Sequence, residues 1–214
     1  DIMLAANKAN ADKHRHGIRD AHAKIHGVLV GELQVYPDLP PHLAQGLFAE
    51  PATYPVIIRL SSAPGDLGDD KVPTPRGMAL KVIGVPGPKL LPGHEDDLTQ
   101  DFLMVSLPTL AFGDVAKYLE MQEILAKQAD APDVLKQITA TFARGAKEVM
   151  AHLGIENATV EGIGVDHDHI LGQTFHSMAA MRYGDHIAKI SVAPLSEEVR
   201  ELSDVKIDPD GNPS

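Results

Sequence analysis

Cysteine is absent from the sequence, which excludes disulfides and thiolate metal sites alike. Basic residues are few: 19 Lys and Arg stand against 30 Asp and Glu, a formal net charge of −11. No basic stripe can neutralise a phosphate backbone, so nucleic acid is excluded as the expected partner. No apolar run approaches the roughly 18 residues of a membrane helix, and no leader-like apolar stretch is visible. No membrane span is therefore expected. Internal repeats and low-complexity tracts are absent too. The cytoplasm is the expected compartment, with the periplasm left open, because a cysteine-free chain suits either.

What is present fits one domain of ordinary size. The 214 residues are 43% hydrophobic, enough to bury a core. Residues 1–18, rich in Ala, Lys and His, suit an N-terminal helix or arm. Gly27 to Tyr36 alternates imperfectly between apolar and other residues and reads as a strand, with Gly27 and Gly31 permitting a bulge or close approach. Pro40-Pro41 opens a short helical segment to about Phe48, and the β-branched run Tyr54–Leu60 is a second strand. A Gly/Asp/Pro loop spans residues 63–74, followed by strands over 78–83 and 102–107. Helices are expected over 114–129 and 133–153, the second ended by Gly154. Strands over 171–181 and 186–193 then flank a hairpin signal at Arg182-Tyr183-Gly184-Asp185. This order predicts α+β with an antiparallel, barrel-like sheet and a helical insertion between its halves. The chain begins on Asp1 and ends on the turn-rich stretch 208–214, so both ends are expected to be cut.

Three short segments carry the chemistry. Arg19 precedes His22 by three residues; Arg59 ends a strand-like run with Ser61 two residues on; Arg76-Gly77 turns into a further strand. His22 is either a capping residue at a strand start or an acid–base group that something buries and orients. Arg59 is a surface cation or an anion ligand, and Ser61 bonds either to backbone or to an imidazole. The rival constellation is His167-Asp168-His169, where residues two apart on an extended chain share a face and could converge on zinc. Asp166, His176 and His186 are its unpatterned further ligands, and a solvated polar turn is its plainer reading.

In order, these segments resemble the haem catalase superfamily, particularly its smaller catalase-related peroxidase branch. Arg19, His22, Ala23 and Lys24 match the distal histidine segment, although Ile25-His26 lengthens the Gly-rich passage that follows. Arg59-Leu60-Ser61-Ser62 matches the family's Arg-Phe-Ser-Thr, and Arg76-Gly77-Met78-Ala79-Leu80-Lys81 its Arg-Gly-Phe-Ala-hydrophobic-Lys strand. Asp101, Pro108 and Asp114 keep the spacing through the distal asparagine region, and the Thr174-Phe175 strand and the Gly184 hairpin extend the likeness to Pro194.

The resemblance implies a catalase-like antiparallel β-barrel, incomplete in this chain: an arm over 1–18, a partial haem domain over 19–194, and a helix and truncated loop over 195–214. It implies a b-type haem (heme b) and reduction of hydrogen peroxide or organic hydroperoxides. His22 would be the distal acid–base residue and Ser61 its orienting partner. Arg19 and Arg59 would meet the haem propionates, with Tyr118 and Val28 lining the cofactor as looser matches. No resident metal site of side chains alone is implied, and a homo-oligomer is compatible with the family.

Two departures stand out. The family's distal asparagine falls at Val105, with Ser106 the nearest polar neighbour, so peroxidase chemistry is expected with weak catalase turnover. The motif of the family's proximal tyrosine lies beyond the length seen, and Tyr36, Tyr54, Tyr118 and Tyr183 do not sit in it. A longer polypeptide is the expected source, the alternative being a form that cannot ligate haem in the usual way. Two other functions compete: a haem-free binding or structural protein on the same scaffold, and a haem enzyme that rearranges lipid hydroperoxides.

Overall fold

The computed structural model of the chain describes residues 2–63, 65–109, 115–116, 118–120, 123 and 168–208. Helix α1 (Ile2–His14) forms from an alanine-rich stretch and ends with Lys13 and His14 in its last turn, where cations suit the helix dipole. It stops short of the expected residue 18 because Arg15 turns left-handed, with φ 59.

Strands β1 (Ile25–Val35), β2 (Ala52–Ser62), β3 (Arg76–Ile83) and β4 (Thr99–Val105) pair antiparallel in chain order. β5 (Phe175–Ser177) and β8 (Ser191–Val192) complete a six-stranded sheet, ordered β1-β2-β3-β4-β5-β8 and curled into a half-barrel. Mixed helix and mostly antiparallel sheet is thus the architecture that alternation predicted. Pro55 is accommodated within β2 because pairing to β3 begins only at Val56↔Val82, leaving the proline opposite Glu32 of β1 alone. The bulge expected near Gly27 falls between Ile25 and Gly27, with His26 as the extra residue.

Two expected strands are corrected. The run over 171–181 is broken into a single helical turn (Ile170–Gly172), β5, and β6 (Met181–Tyr183). Ser177 makes the break: its hydroxyl donates to the Ala179 carbonyl and accepts the Ile190 N–H, turning the chain away from the sheet. The run over 186–193 divides likewise into β7 (His186–Ala188) and β8. β6 and β7 form the hairpin, Tyr183 pairing with His186 around Gly184, whose φ of 57 suits a tight turn. Between Pro40 and Phe48 a hydrogen-bonded turn over residues 40–44 precedes the single short helical element Gly46–Phe48. Val115, Ala116, residues 118–120 and Glu123 are helical, as expected for the first inserted helix, while the helix expected over 133–153 lies outside the described residues. Near the end, the short helix α2 (Glu197–Arg200) runs on into a tighter turn over Glu201–Asp204. No helix among the described residues is long and apolar enough to cross a membrane.

The sheet has two unlike faces. One buries Val56, Leu60, Val82, Phe102, Met104 and Phe175, with Val85 alongside, as the core. On the other, cross-strand partners share a side. One row runs Val28, Arg59, Ala79, Leu103; the next runs Ile25, Ser61, Gly77, Val105, His176, Ser191. This second face stays open, with Val28 55%, Val30 82% and Leu103 73% exposed.

Candidate functional site

The segment between α1 and β1 crosses the end of β2 and turns back at His22. That residue is left-handed, φ 51, a conformation an L-residue holds only when its surroundings fix it. Both of its backbone groups are fastened, one to β2 and one to the residue that follows it. The His22 N–H donates to the Ala63 carbonyl at 2.9 Å, and Arg59 Nη2 donates to the His22 carbonyl at 2.8 Å. Lys13 and His14 of α1 both reach Asp66, and Lys24 reaches Asp70, so the 65–71 loop is tied to the same segment.

The imidazole lies over the open face. Nδ1 is 3.1 Å from Ser61 Oγ, within the row that continues through Gly77 and Val105. With Nδ1–H as the donor, the lone pair stands on Nε2, the form a general base needs. Gly77 is the floor: a Cβ there would come within 2.4 Å of His22 Cε1 and Nδ1 and 3.0 Å of Ser61 Oγ. Its backbone is not in the glycine-only region, so the need is for space. Gly77→Ala should therefore break the His22–Ser61 contact and cost about 1–3 kcal/mol by overpacking. Urea unfolding and imidazole nitrogen shifts would check both parts, and unmoved shifts would show that the ring does not rest there.

Electrostatics hold the ring neutral. Burial pushes the His22 imidazole below its ordinary value, and the Arg59 and Arg19 guanidinium groups push it further the same way. Arg59 is itself disfavoured as a cation, by burial first and then by Arg19. The two guanidinium groups thus repel each other, and among the described residues no carboxylate pairs with either. Two adjacent cations with no carboxylate partner among the described residues suit an anionic ligand.

Of the residues singled out in the sequence, His22, Ser61, Arg59 and Arg19 come together, and Val28 stands directly opposite Arg59 on the same face. Tyr118 is helical and 40% exposed, and no hydrogen bond or ring contact joins it to the cluster among the described residues. Val105 is brought beside Gly77, in the row that carries Ser61. The Ser106 hydroxyl is already engaged, accepting the Arg76 N–H at 3.0 Å.

Sequence reasoning missed a second cluster on the opposite face. His26 Nε2 is 2.7 Å from Ser62 Oγ, and Arg76 Nη1 donates to His26 Nε2 at 3.0 Å and to Ser62 Oγ at 2.6 Å. The signal was the pair Ser61-Ser62, whose neighbours must face opposite sides of a strand. His176, named only as an unpatterned metal ligand, was also missed: it lies next to Val105 in the site row.

The zinc constellation gains no support from geometry. His169 Nδ1 caps its own turn by accepting the Leu171 N–H at 3.2 Å, Asp168 pairs with Lys206, and Asp166 and His167 lie outside the described residues. Among the described residues no group of three or more His, Asp or Glu is arranged around a common point. In comparisons with protein-family models, curated protein sequences and solved structures, none matched the chain.

Proposed function

We propose that this chain forms the distal side of a haem-dependent peroxidase that reduces hydrogen peroxide or organic hydroperoxides. The observation that carries the reading is His22, neutral and held by Ser61 over Gly77, beside the cations Arg59 and Arg19, which no carboxylate pairs among the described residues. The fit to haem rests on the same face. A flat apolar dianion needs cations at one edge and exposed aliphatic surface beneath, and Arg59 sits between Val28 and Ala79 in a row ending at Leu103. Bound haem would supply the redox chemistry, with the two electrons coming from an external donor.

The chain's own residues would manage position and protons. Arg19 and Arg59 would hold the propionates through charge-assisted bonds. His22 Nε2 would take the proton from the inner peroxide oxygen and deliver it to the departing oxygen, so that water or an alcohol leaves. Ser61 would keep the tautomer in which Nε2 is free for this. Val105 offers no hydrogen bond to a second peroxide, so oxygen evolution is expected to be slow. Oxygen release at rates rivalling peroxidation would overturn that part.

Haem titration tests the cofactor. The expected result is a saturable Soret shift, with affinity weakened about 10²- to 10⁴-fold by an Arg19→Ala/Arg59→Ala double change, since each charge-assisted bond contributes about 1.5–3 kcal/mol and the change removes two. No saturable binding to the unaltered chain would favour a haem-free scaffold. Conversion of a fatty-acid hydroperoxide without consumption of a donor would point to rearrangement in place of reduction.

A further inference from the structure

We infer that His26 is a positioning residue for His22, fastening the 22–26 segment through Arg76 and Ser62 only while its own imidazole is neutral. The inference rests on the reading above for what His22 does, and on geometry alone for how His22 is held.

The two histidines are attached to one strand end from opposite sides. His22 meets Ser61 on the open face; His26 meets Ser62 on the core face. Between them, the Ser62 N–H donates to the Lys24 carbonyl at 3.0 Å and the His22 N–H to the Ala63 carbonyl at 2.9 Å. The segment carrying both histidines and the end of β2 are therefore one hydrogen-bonded unit, and the His26 cluster closes its core side. That cluster reaches across to β3 through Arg76, whose own N–H and carbonyl are bound by Ser106 beyond β4. Fastening His26 thus fixes the corner on which His22 stands.

The fastening has a chemical condition. Because Arg76 Nη1 donates to His26 Nε2, that nitrogen must be an acceptor, and the proton of the neutral ring sits on Nδ1. Adding a proton turns Nε2 into a donor facing another donor 3.0 Å away, and sets a cation against a half-buried cation. The charged groups facing His26 are Arg76 from β3, Asp70 from the 65–71 loop and Lys24 from its own segment. Burial dominates, Arg76 and Lys24 also oppose the charge, and only Asp70 favours it, while already holding Lys24 Nζ at 2.7 Å. The balance keeps His26 neutral below the ordinary imidazole range.

Acidification should then release both histidines together. Once His26 takes a proton and leaves Arg76, His22 loses its seat on Ser61 and leaves the field of Arg59 and Arg19. In water it regains an ordinary value near about 6.5 and is protonated at once. The step therefore takes up about two protons over a narrow pH range, where independent histidines would give two shallow steps.

The test follows imidazole nitrogen signals of the full chain without haem, from neutral pH to about 4.5, for the unaltered protein and for His26→Gln. The glutamine amide oxygen can accept from Arg76 yet does not titrate. The expected result is loss of the His22–Ser61 signature in the same steep step as His26 protonation. In His26→Gln that loss should move about one pH unit or more to the acid side. Separate one-proton midpoints in the unaltered chain overturn the inference, as does an unmoved His22 transition in the variant. If far-UV circular dichroism shows the variant unfolded, the two titrations of the unaltered chain decide alone. A chain that fails to bind haem leaves this result standing, because no haem enters the measurement.

Discussion

Replacing His22 by asparagine should lower peroxide-dependent oxidation of a phenolic donor by about 10²- to 10⁴-fold, the usual contribution of a positioned acid–base group. Asparagine is the informative substitution because, like histidine, it tolerates the left-handed backbone found at this position, φ 51. The backbone bonds from His22 to Ala63 and from Arg59 to His22 can then survive. Haem affinity, which the proposal assigns to Arg19, Arg59 and the apolar row, should stay within a few-fold. A rate that falls less than about tenfold with haem binding intact would remove His22 from the proposed chemistry. The pH profile adds an independent check. The folded-state imidazole lies below its ordinary value through burial, Arg59 and Arg19, so the basic form persists to lower pH than in a free histidine. The acid limb of kcat/KM should accordingly fall below about 6.5.

The same shifts bear on stability with a definite sign. His22 and His26 are both depressed in the folded state, so unfolding at acid pH takes up protons. Their contribution is complete above about 6.5 and is lost as the pH falls toward the depressed values. Neither group destabilises the protein at alkaline pH.

Much of the sheet was legible because its strands carry their own signals. Tyr54–Leu60 is β-branched and apolar, and β2 contains it; Gly27 marks the bulge, and Gly184 the hairpin. His22 and Ser61 stood out in the sequence as an acid–base candidate and a possible imidazole partner, and the fold brings them to 3.1 Å. Three features were illegible for a shared reason: each depends on contacts distant in the chain. The break after β5 is made by the Ser177 hydroxyl reaching Ile190, which alternation cannot reveal. The role of Gly77 depends on an imidazole 55 positions earlier in the sequence, and a glycine before a strand reads locally as a turn. The His26–Ser62–Arg76 cluster joins three elements, and each residue taken alone has an ordinary surface reading.

Phe175→Ala should be the most damaging change outside the site, at about 3–5 kcal/mol of stability. The ring is fully buried, at 0% exposure, within the cluster formed by Val56, Leu60, Val82, Phe102 and Met104. Its strand is only three residues long, so few ladder hydrogen bonds hold β5, and the side chain must supply most of the attachment. Truncation leaves a cavity that a curled sheet cannot close without shifting β5 against β4. β5 meets β4 through Met104↔Ser177 and Val105↔His176, so the displaced pair includes the far end of the site row. With total stability of order 5–15 kcal/mol, the loss should bring the urea midpoint down by about a fifth or more. Phe175→Leu should recover over half of it, because most of the volume returns. Activity should then fall in proportion to the folded fraction, with the pH profile of the survivors unchanged, unlike the His22 substitution. A cost below about 1 kcal/mol would mean that β5 is held by something other than this ring.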